Sequence, residues 1–152
     1  FDDLLNCFLH WSFLRFKESA ISCWFADNID TWWPKASHSV KGAKSRLRFP
    51  KHKGENIIET GDDGSIAVWG KIIAYDPAGY VAFTWHPGRP DSEATVVTMK
   101  LTASTEGTLC ELTHGGFDIL GETADAVSTS YLRGWDMVLG CYKAAAKTPI
   151  FA

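Results

Sequence analysis

The sequence predicts an α+β fold in which an antiparallel sheet packs against one long C-terminal helix. Three observations predict it. Six short strand-like segments follow one another between Lys44 and Gly116, turn residues separate them without any intervening helix, and the stretch from Ala124 to Lys147 carries an apolar stripe at helical spacing. Strands joined by short turns form antiparallel neighbours, and a single helix laid on such a sheet gives a two-layer α+β architecture.

The elements follow in order. Residues 1–17 have two readings, because Leu4, Leu5, Phe8, Leu9 and Phe13 recur at helical spacing while Trp11 to Phe16 suit a buried strand; a first strand is expected within 11–16. A short helix begins at Glu18-Ser19, places Ile21, Trp24, Phe25 and Ile29 on one face, and is expected to stop before Trp32-Trp33-Pro34. Strands are expected near Lys44–Phe49, Asn56–Thr60, Ile66–Tyr75, Tyr80–Trp85, Ala94–Ala103 and Thr108–Gly116. Turns are expected at Gly61–Gly64, Asp76–Gly79, Pro87–Pro90 and Glu106-Gly107. Thr123 is the expected N-cap of the last helix, with Glu122 and Asp125 near the positive end of its dipole. Tyr131, Trp135, Val138, Leu139 and Tyr142 form its buried stripe, and Gly134 is expected to admit the sheet closely. The expected organisation is residues 1–17 as an N-terminal segment, 18–147 as the domain and 148–152 as a tail.

Composition narrows the function. A chain of 152 residues encloses one core. Aromatic residues at 13%, seven of them Trp, are abundant for that length, so something large and apolar is lined or filled. A net charge of -3 and the lack of a long Lys/Arg run argue against nucleic acid. Lys41, Lys44, Arg46, Arg48, Lys51 and Lys53 alternate with apolar residues and are read as a solvated strand face. Cys7, Cys23, Cys110 and Cys141 form no CxxC pair, so buried reduced thiols and a cytoplasmic location are expected. No apolar run suits a membrane span, and the acidic Asp2-Asp3 start does not resemble a signal peptide.

Alternation assigns the inward faces. Val81, Phe83 and Trp85 share one, as do Val97, Met99 and Leu101, and Cys110, Leu112 and His114. On the third strand of the meander Val68, Gly70, Ile72 and Ala74 are expected to point in, with Gly70 admitting the helix and Trp69 and Tyr75 turned outward. His114 on an apolar face reads first as a satisfied core histidine. The five histidines have no ligand-like spacing, so neither a metal nor a cofactor is expected, and no GxSxG, Walker or GxGxxG element occurs. His114-Gly115-Gly116 is read as a bulge in preference to a strand end or a ligand-facing amide pair.

Several motifs combine in one order and spacing: Trp32-Trp33-Pro34, Ser37-His38-Ser39, Asp63-Gly64, Trp69-Gly70, Tyr75-Asp76-Pro77, Thr84-Trp85-His86, Gly107-Thr108, Leu112-Thr113-His114-Gly115-Gly116-Phe117 and Gly134-Trp135. Over roughly Glu18 to Ala146 the chain resembles the homologues of the C-terminal domain of the Hsp90 ATPase activator, a branch of the START-like (SRPBCC) helix-grip superfamily. The resemblance implies a curved antiparallel sheet wrapped around the C-terminal helix, two short helices after the first strand, and a pocket between sheet and helix. Family members show a Gly pair where this chain has Lys53-Gly54.

Three functions follow as expectations. The first is a module binding a small apolar or amphipathic molecule, for which a pocket of about 300 Å³ or more is suitable. Its expected ligand-contacting residues are Trp32, Trp33, Phe83, Trp85, Val97, Met99, Leu112, His114, Tyr131 and Trp135. The second is association with a chaperone ATPase through the outer surface. The third is a pocket enzyme using His114 as acid or base, with Tyr131 or His38 as its polar partner. Trp33 is expected to pack inward and Trp32 to border the pocket mouth as part of a lid, against the alternative that both rings close the end of the core. The sequence leaves ligand identity, any catalytic residue and oligomeric state open.

Overall fold

A computed structural model describes the backbone of residues 7–13, 18–104 and 107–147, and side chains over 25–102 and 109–145. The elements are β1 (Cys7–Phe13), α1 (Glu18–Trp32), β2 (Arg46–Arg48), β3 (Asn56–Thr60), β4 (Ile66–Asp76), β5 (Tyr80–Trp85), β6 (Thr95–Ser104), β7 (Gly107–Gly115) and α2 (Ala124–Lys147). The strands described form one antiparallel sheet in the order β1-β7-β6-β5-β4-β3-β2. The expected α+β helix-grip fold is therefore present, with α2 packed on the sheet's inner face.

The N-terminal strand lies earlier than expected, at Cys7–Phe13, and pairs along its length with β7 from Cys7↔His114 to Phe13↔Thr108. Residues 14–16 of the expected strand lie outside the described residues. A single 15-residue helix and a hydrogen-bonded turn at Pro34–His38 stand where two short helices were implied. That helix continues through Trp32, one residue further than the Pro34 argument placed its end, because Trp33 still donates its backbone N–H to Ile29 O at 3.0 Å. The Thr123 hydroxyl donates to Leu120 O at 3.0 Å and does not cap α2; α2 instead follows 3₁₀ turns within Phe117–Thr123 that are interrupted by a kink at Gly121 (φ 60°, ψ -126°). Cys110 is a free, buried thiol and Cys141 a free, partly buried one.

Alternation holds on three strands. Val81, Phe83 and Trp85, then Val97, Met99 and Leu101, then Cys110, Leu112 and His114 are all buried. It fails on β4 for a definable reason. The β3/β4 pairing shifts between Ile57↔Gly70 and Ile58↔Val68, and the β4/β5 pairing shifts between Ile72↔Phe83 and Ala74↔Ala82. Each shift inserts one unpaired residue, Trp69 and then Ile73, and one inserted residue reverses every later side chain. The expected inward set is thus corrected: Val68 is exposed and Ala74 only half-buried, whereas Trp69 is 1% exposed and Tyr75 packs against the core.

Gly70 is required by the sheet and not by the helix. A Cβ there would lie 1.7 Å from Thr84 O on β5. Gly134, likewise, faces His38 and not the sheet. Gly116, with φ +81°, follows the end of β7 and opens the 3₁₀ segment, so the glycine pair marks a strand end and not a bulge.

The core is dominated by aromatic rings in mutual contact. Trp85 lies 5.4 Å from Trp135, 5.4 Å from Trp69, 5.5 Å from Phe83 and 5.9 Å from Trp33 between centroids. On the other side of α1, Phe25 and Trp32 pack on Tyr142 at 5.2 and 5.0 Å. Each such pair adds about 0.5–1.5 kcal/mol beyond its buried area, so these rings are what holds α1 and α2 to the sheet.

Candidate ligand pocket

The candidate site is built at the loop end of the sheet–helix sandwich. The loop following α1 is fixed first. Asp30 accepts from Leu47 N and from Lys35 Nζ, both at 2.8 Å, and Lys35 Nζ also donates to Ser45 O at 2.7 Å. Burial opposes charge on Asp30, but the Lys35 bond and the Leu47 amide outweigh it and hold the carboxyl below its ordinary range. Trp33 Nε1 donates to His38 O at 2.6 Å.

Glu59 completes the anchoring and was not legible as a functional residue in the sequence. It is fully buried on β3. Its Oε1 accepts from Val40 N at 2.9 Å and Trp69 Nε1 at 3.1 Å, and its Oε2 accepts from Lys41 N at 3.0 Å. The carboxylate thereby joins the loop to the β4 bulge.

A pocket of about 210 Å³ opens between this loop, Pro87 and the start of the α2 stripe. Trp33, Trp69, Trp85 and Tyr131 give it aromatic walls, and Ser37, His38, Ser39 and Val40 form its rim. The Ser37 hydroxyl and His38 Nδ1 are 2.7 Å apart. Among the described residues, Trp85 Nε1 is the buried side-chain polar atom with no hydrogen-bond partner.

Behind the pocket lies a closed polar network. Trp135 Nε1 donates to His114 Nδ1 at 2.9 Å. His114 Nδ1 is therefore the acceptor nitrogen, and Nε2 carries the proton toward Thr95 Oγ1 at 2.6 Å. Thr95 passes its own hydroxyl proton to Trp85 O at 3.1 Å. Burial, and secondarily the Arg89 charge, push the imidazole down to about 3. Both ring nitrogens are occupied within the core, which is the satisfied-histidine arrangement. The neighbouring Tyr131 ring lies 4.7 Å from His114, and its hydroxyl accepts from Arg89 Nη2 at 3.0 Å. Arg89 Nη1 in turn donates to Glu93 O at 2.6 Å. Arg89 comes from the loop after β5, and the sequence offered no periodic signal for it.

The ten expected contact residues divide by place. Trp33, Trp85 and Tyr131 line the 210 Å³ pocket. Phe83, Val97, Met99, Leu112, His114 and Trp135 are core residues 0–3% exposed. Trp32 is turned between the helices. Trp32 and Trp33 are each 6% exposed, so Trp33 packs inward as expected, but it is Trp33 and not Trp32 that borders the pocket. Helical geometry at Trp32 separates the two side chains by about 100° instead of the 180° of a strand, so both rings reach the core.

Larger openings lie elsewhere. One groove of about 490 Å³ runs beside α2 past His38, Ser130, Arg133 and Met137, and one of about 630 Å³ lies on the outer sheet face near Val68, Lys71, His86 and Asp91. Among the described residues no group of three or more His, Cys, Asp or Glu is placed to hold a metal, and no helix is long and apolar enough to cross a membrane.

Comparison with known proteins agrees with this geometry. No curated protein matches the chain by sequence. Among solved structures, protein MLL2253 from Mesorhizobium loti superposes with a TM-score of 0.70 at 15% identity, over 95% of this chain and 99% of that one. The Aha1 dimer from Colwellia psychrerythraea superposes with a TM-score of 0.66 at 17% identity, over 92% and 94%. DynU16, a putative protein of the dynemicin biosynthetic locus, gives 0.68 at 14% identity, over 94% of this chain and 47% of that one. These likenesses concern the fold. The family model described as activator of Hsp90 ATPase homolog 1-like protein matches residues 24–141, about three quarters of the sequence. The chain belongs to the activator of Hsp90 ATPase homolog 1-like family.

Proposed function

We propose that this protein binds a small, planar, largely apolar molecule in the pocket formed by Trp33, Trp69, Trp85 and Tyr131. The observation that carries the reading is an aromatic-walled recess with a polar rim, one of whose walls, Trp85, has a buried indole N–H without an acceptor. Few polar groups among apolar walls is the usual composition of a small-molecule site. An unsatisfied buried donor costs about 1–3 kcal/mol, which a ligand carbonyl or ether oxygen brought beside that indole would offset. At about 210 Å³ the pocket is smaller than the roughly 300–1,000 Å³ of sites for drug-sized ligands, so the favoured occupant is a single-ring molecule. Superfamily likeness supports a binding role in kind and leaves the ligand unnamed.

Native mass spectrometry of freshly purified protein tests this, with the same sample denatured as control. A co-purifying small molecule released on denaturation supports the reading. No adduct, together with unshifted Trp indole resonances when single-ring aromatic ketones are titrated in, would defeat it.

The family description favours a second reading, contact with an Hsp90-type ATPase. An unchanged rate of purified chaperone ATPase at saturating protein excludes stimulation.

A further inference from the structure

We infer that Glu59 is the positioning residue of this pocket: a buried carboxylate that clamps the pocket's rim to its wall. The inference rests on the pocket reading above and adds the device that shapes it. Val40 belongs to the rim and Trp69 to the wall, and both donate to the same oxygen of Glu59, at 2.9 and 3.1 Å. Lys41 N donates to the other oxygen at 3.0 Å. Among the described residues no Lys, Arg or His side chain pairs with this carboxylate, which is fully buried. Its charge is therefore compensated by three N–H donors alone.

Two features argue that the clamp acts on the pocket and not on the fold at large. The Val40–Lys41 segment is loop whose backbone donors have no sheet or helix partner, so without Glu59 they would turn to water. Trp69 is also the extra residue of the β4 bulge, a place where a sheet re-aims a side chain. Holding that indole by its N–H fixes the plane of one pocket wall while the Val40 amide fixes the rim opposite it.

The test uses two substitutions and two readouts. Glu59→Gln keeps one oxygen for Val40 N and Trp69 Nε1 and sets an NH₂ against Lys41 N–H. Glu59→Met removes every acceptor at similar length. Hydrogen exchange by NMR should show the Lys41 amide alone exchanging about tenfold faster in the Gln variant, as losing one hydrogen bond implies. In the Met variant the Val40 and Lys41 amides and the Trp69 indole should all be faster, while core amides of Val97 and Leu112 keep their protection. The second readout is binding of 4-fluoroacetophenone, followed by ¹⁹F line width under conditions where core protection shows each variant folded. Affinity should fall about tenfold or more in the Met variant and less in the Gln variant.

Unchanged protection of Val40 and Lys41 in the Met variant overturns the inference. So does a loss of protection spread evenly through the core with the folded fraction binding the probe as the parent does, since that marks a merely structural residue. A parent protein that binds none of the probe counts against the pocket's function. The exchange readout then decides the clamp alone.

Discussion

His114 should make this protein acid-sensitive well above the range of its carboxylates. The unfolded chain binds a proton at the ordinary histidine value of 6.5, whereas the buried imidazole resists protonation to about 3. A depressed folded-state value means that the stabilising contribution is complete above pH 6.5 and is lost as pH falls toward 3. Each pH unit in that window costs about 1.4 kcal/mol. Between pH 7 and pH 5 only the 1.5 units below 6.5 count, giving a loss of about 2 kcal/mol. By pH 3 the loss approaches about 5 kcal/mol, comparable to the entire stability of many domains, so acid unfolding should occur before that point. Urea unfolding at pH 7 and pH 5, for the parent and for His114→Gln, isolates the effect because other titrating groups are common to both. The variant loses the ring contacts to Phe117 and Tyr131 and should be less stable at pH 7 by about 1–3 kcal/mol. Its pH dependence should be shallower than the parent's by about 2 kcal/mol over that interval. Equal pH dependence in the two proteins would refute the neutral, doubly bonded imidazole.

Other consequences are more local. Trp135→Ala removes the donor to His114 and the contacts to Trp33 and Trp85, and should cost about 3–5 kcal/mol, lowering Tm by roughly 10 °C or more; a melt within a degree or two of the parent contradicts its central placement. Gly70→Ala forces the β4 backbone away from Thr84 O and should destabilise by about 3 kcal/mol in chemical unfolding, at the upper end for overpacking, because the obstacle is backbone. A neutral Gly70→Ala would show that β5 yields there. The Cys110 thiol is pushed up to about 12 by burial and the adjacent Glu111 charge, so alkylation at pH 8 followed by peptide mapping should leave it unlabelled in the folded protein and labelled in urea. Rapid labelling of the folded form is the opposing result.

Period-two alternation made β5, β6 and β7 legible because none of the three carries an inserted residue and the β5/β6 and β6/β7 pairings run in unbroken register. The same rule misassigned β4, since a bulge leaves no mark in composition: Trp69 and Ile73 look like ordinary strand residues, and the shift exists only in their pairing. The helix stripe of α2 was legible for the analogous reason, with Trp135, Val138, Leu139 and Tyr142 all buried. Glu59 and Arg89 were not, because their roles depend on backbone groups and a phenol brought near from 18 to 42 residues away. Trp32-Trp33 failed on local conformation. A proline two residues on was taken to extend both, and the helix simply continued through the first.

The size of the pocket follows from how the space between sheet and helix is filled. In a sheet curled around a helix, the room for a ligand is what the inward side chains leave. Here Trp33, Trp85 and Trp135 lie 5.4–6.1 Å apart between centroids, close enough to exclude a guest between them. The space remaining is at the loop end, where Trp33 lines the recess and packs, at 6.1 Å between centroids, on Trp135, which does not line it. Trp33→Leu should therefore deepen the pocket toward Trp135. It deletes a ring and the indole bond to His38 O, at a stability cost of about 2–4 kcal/mol. The variant should bind a two-ring ketone such as 2-acetonaphthone at least about tenfold more tightly than the parent does, while 4-fluoroacetophenone gains little. Both are measurable by isothermal titration with folded protein verified by circular dichroism. If the two-ring probe binds parent and variant alike, Trp33 does not set the depth of the pocket, and the neighbouring rings have closed over the space it left.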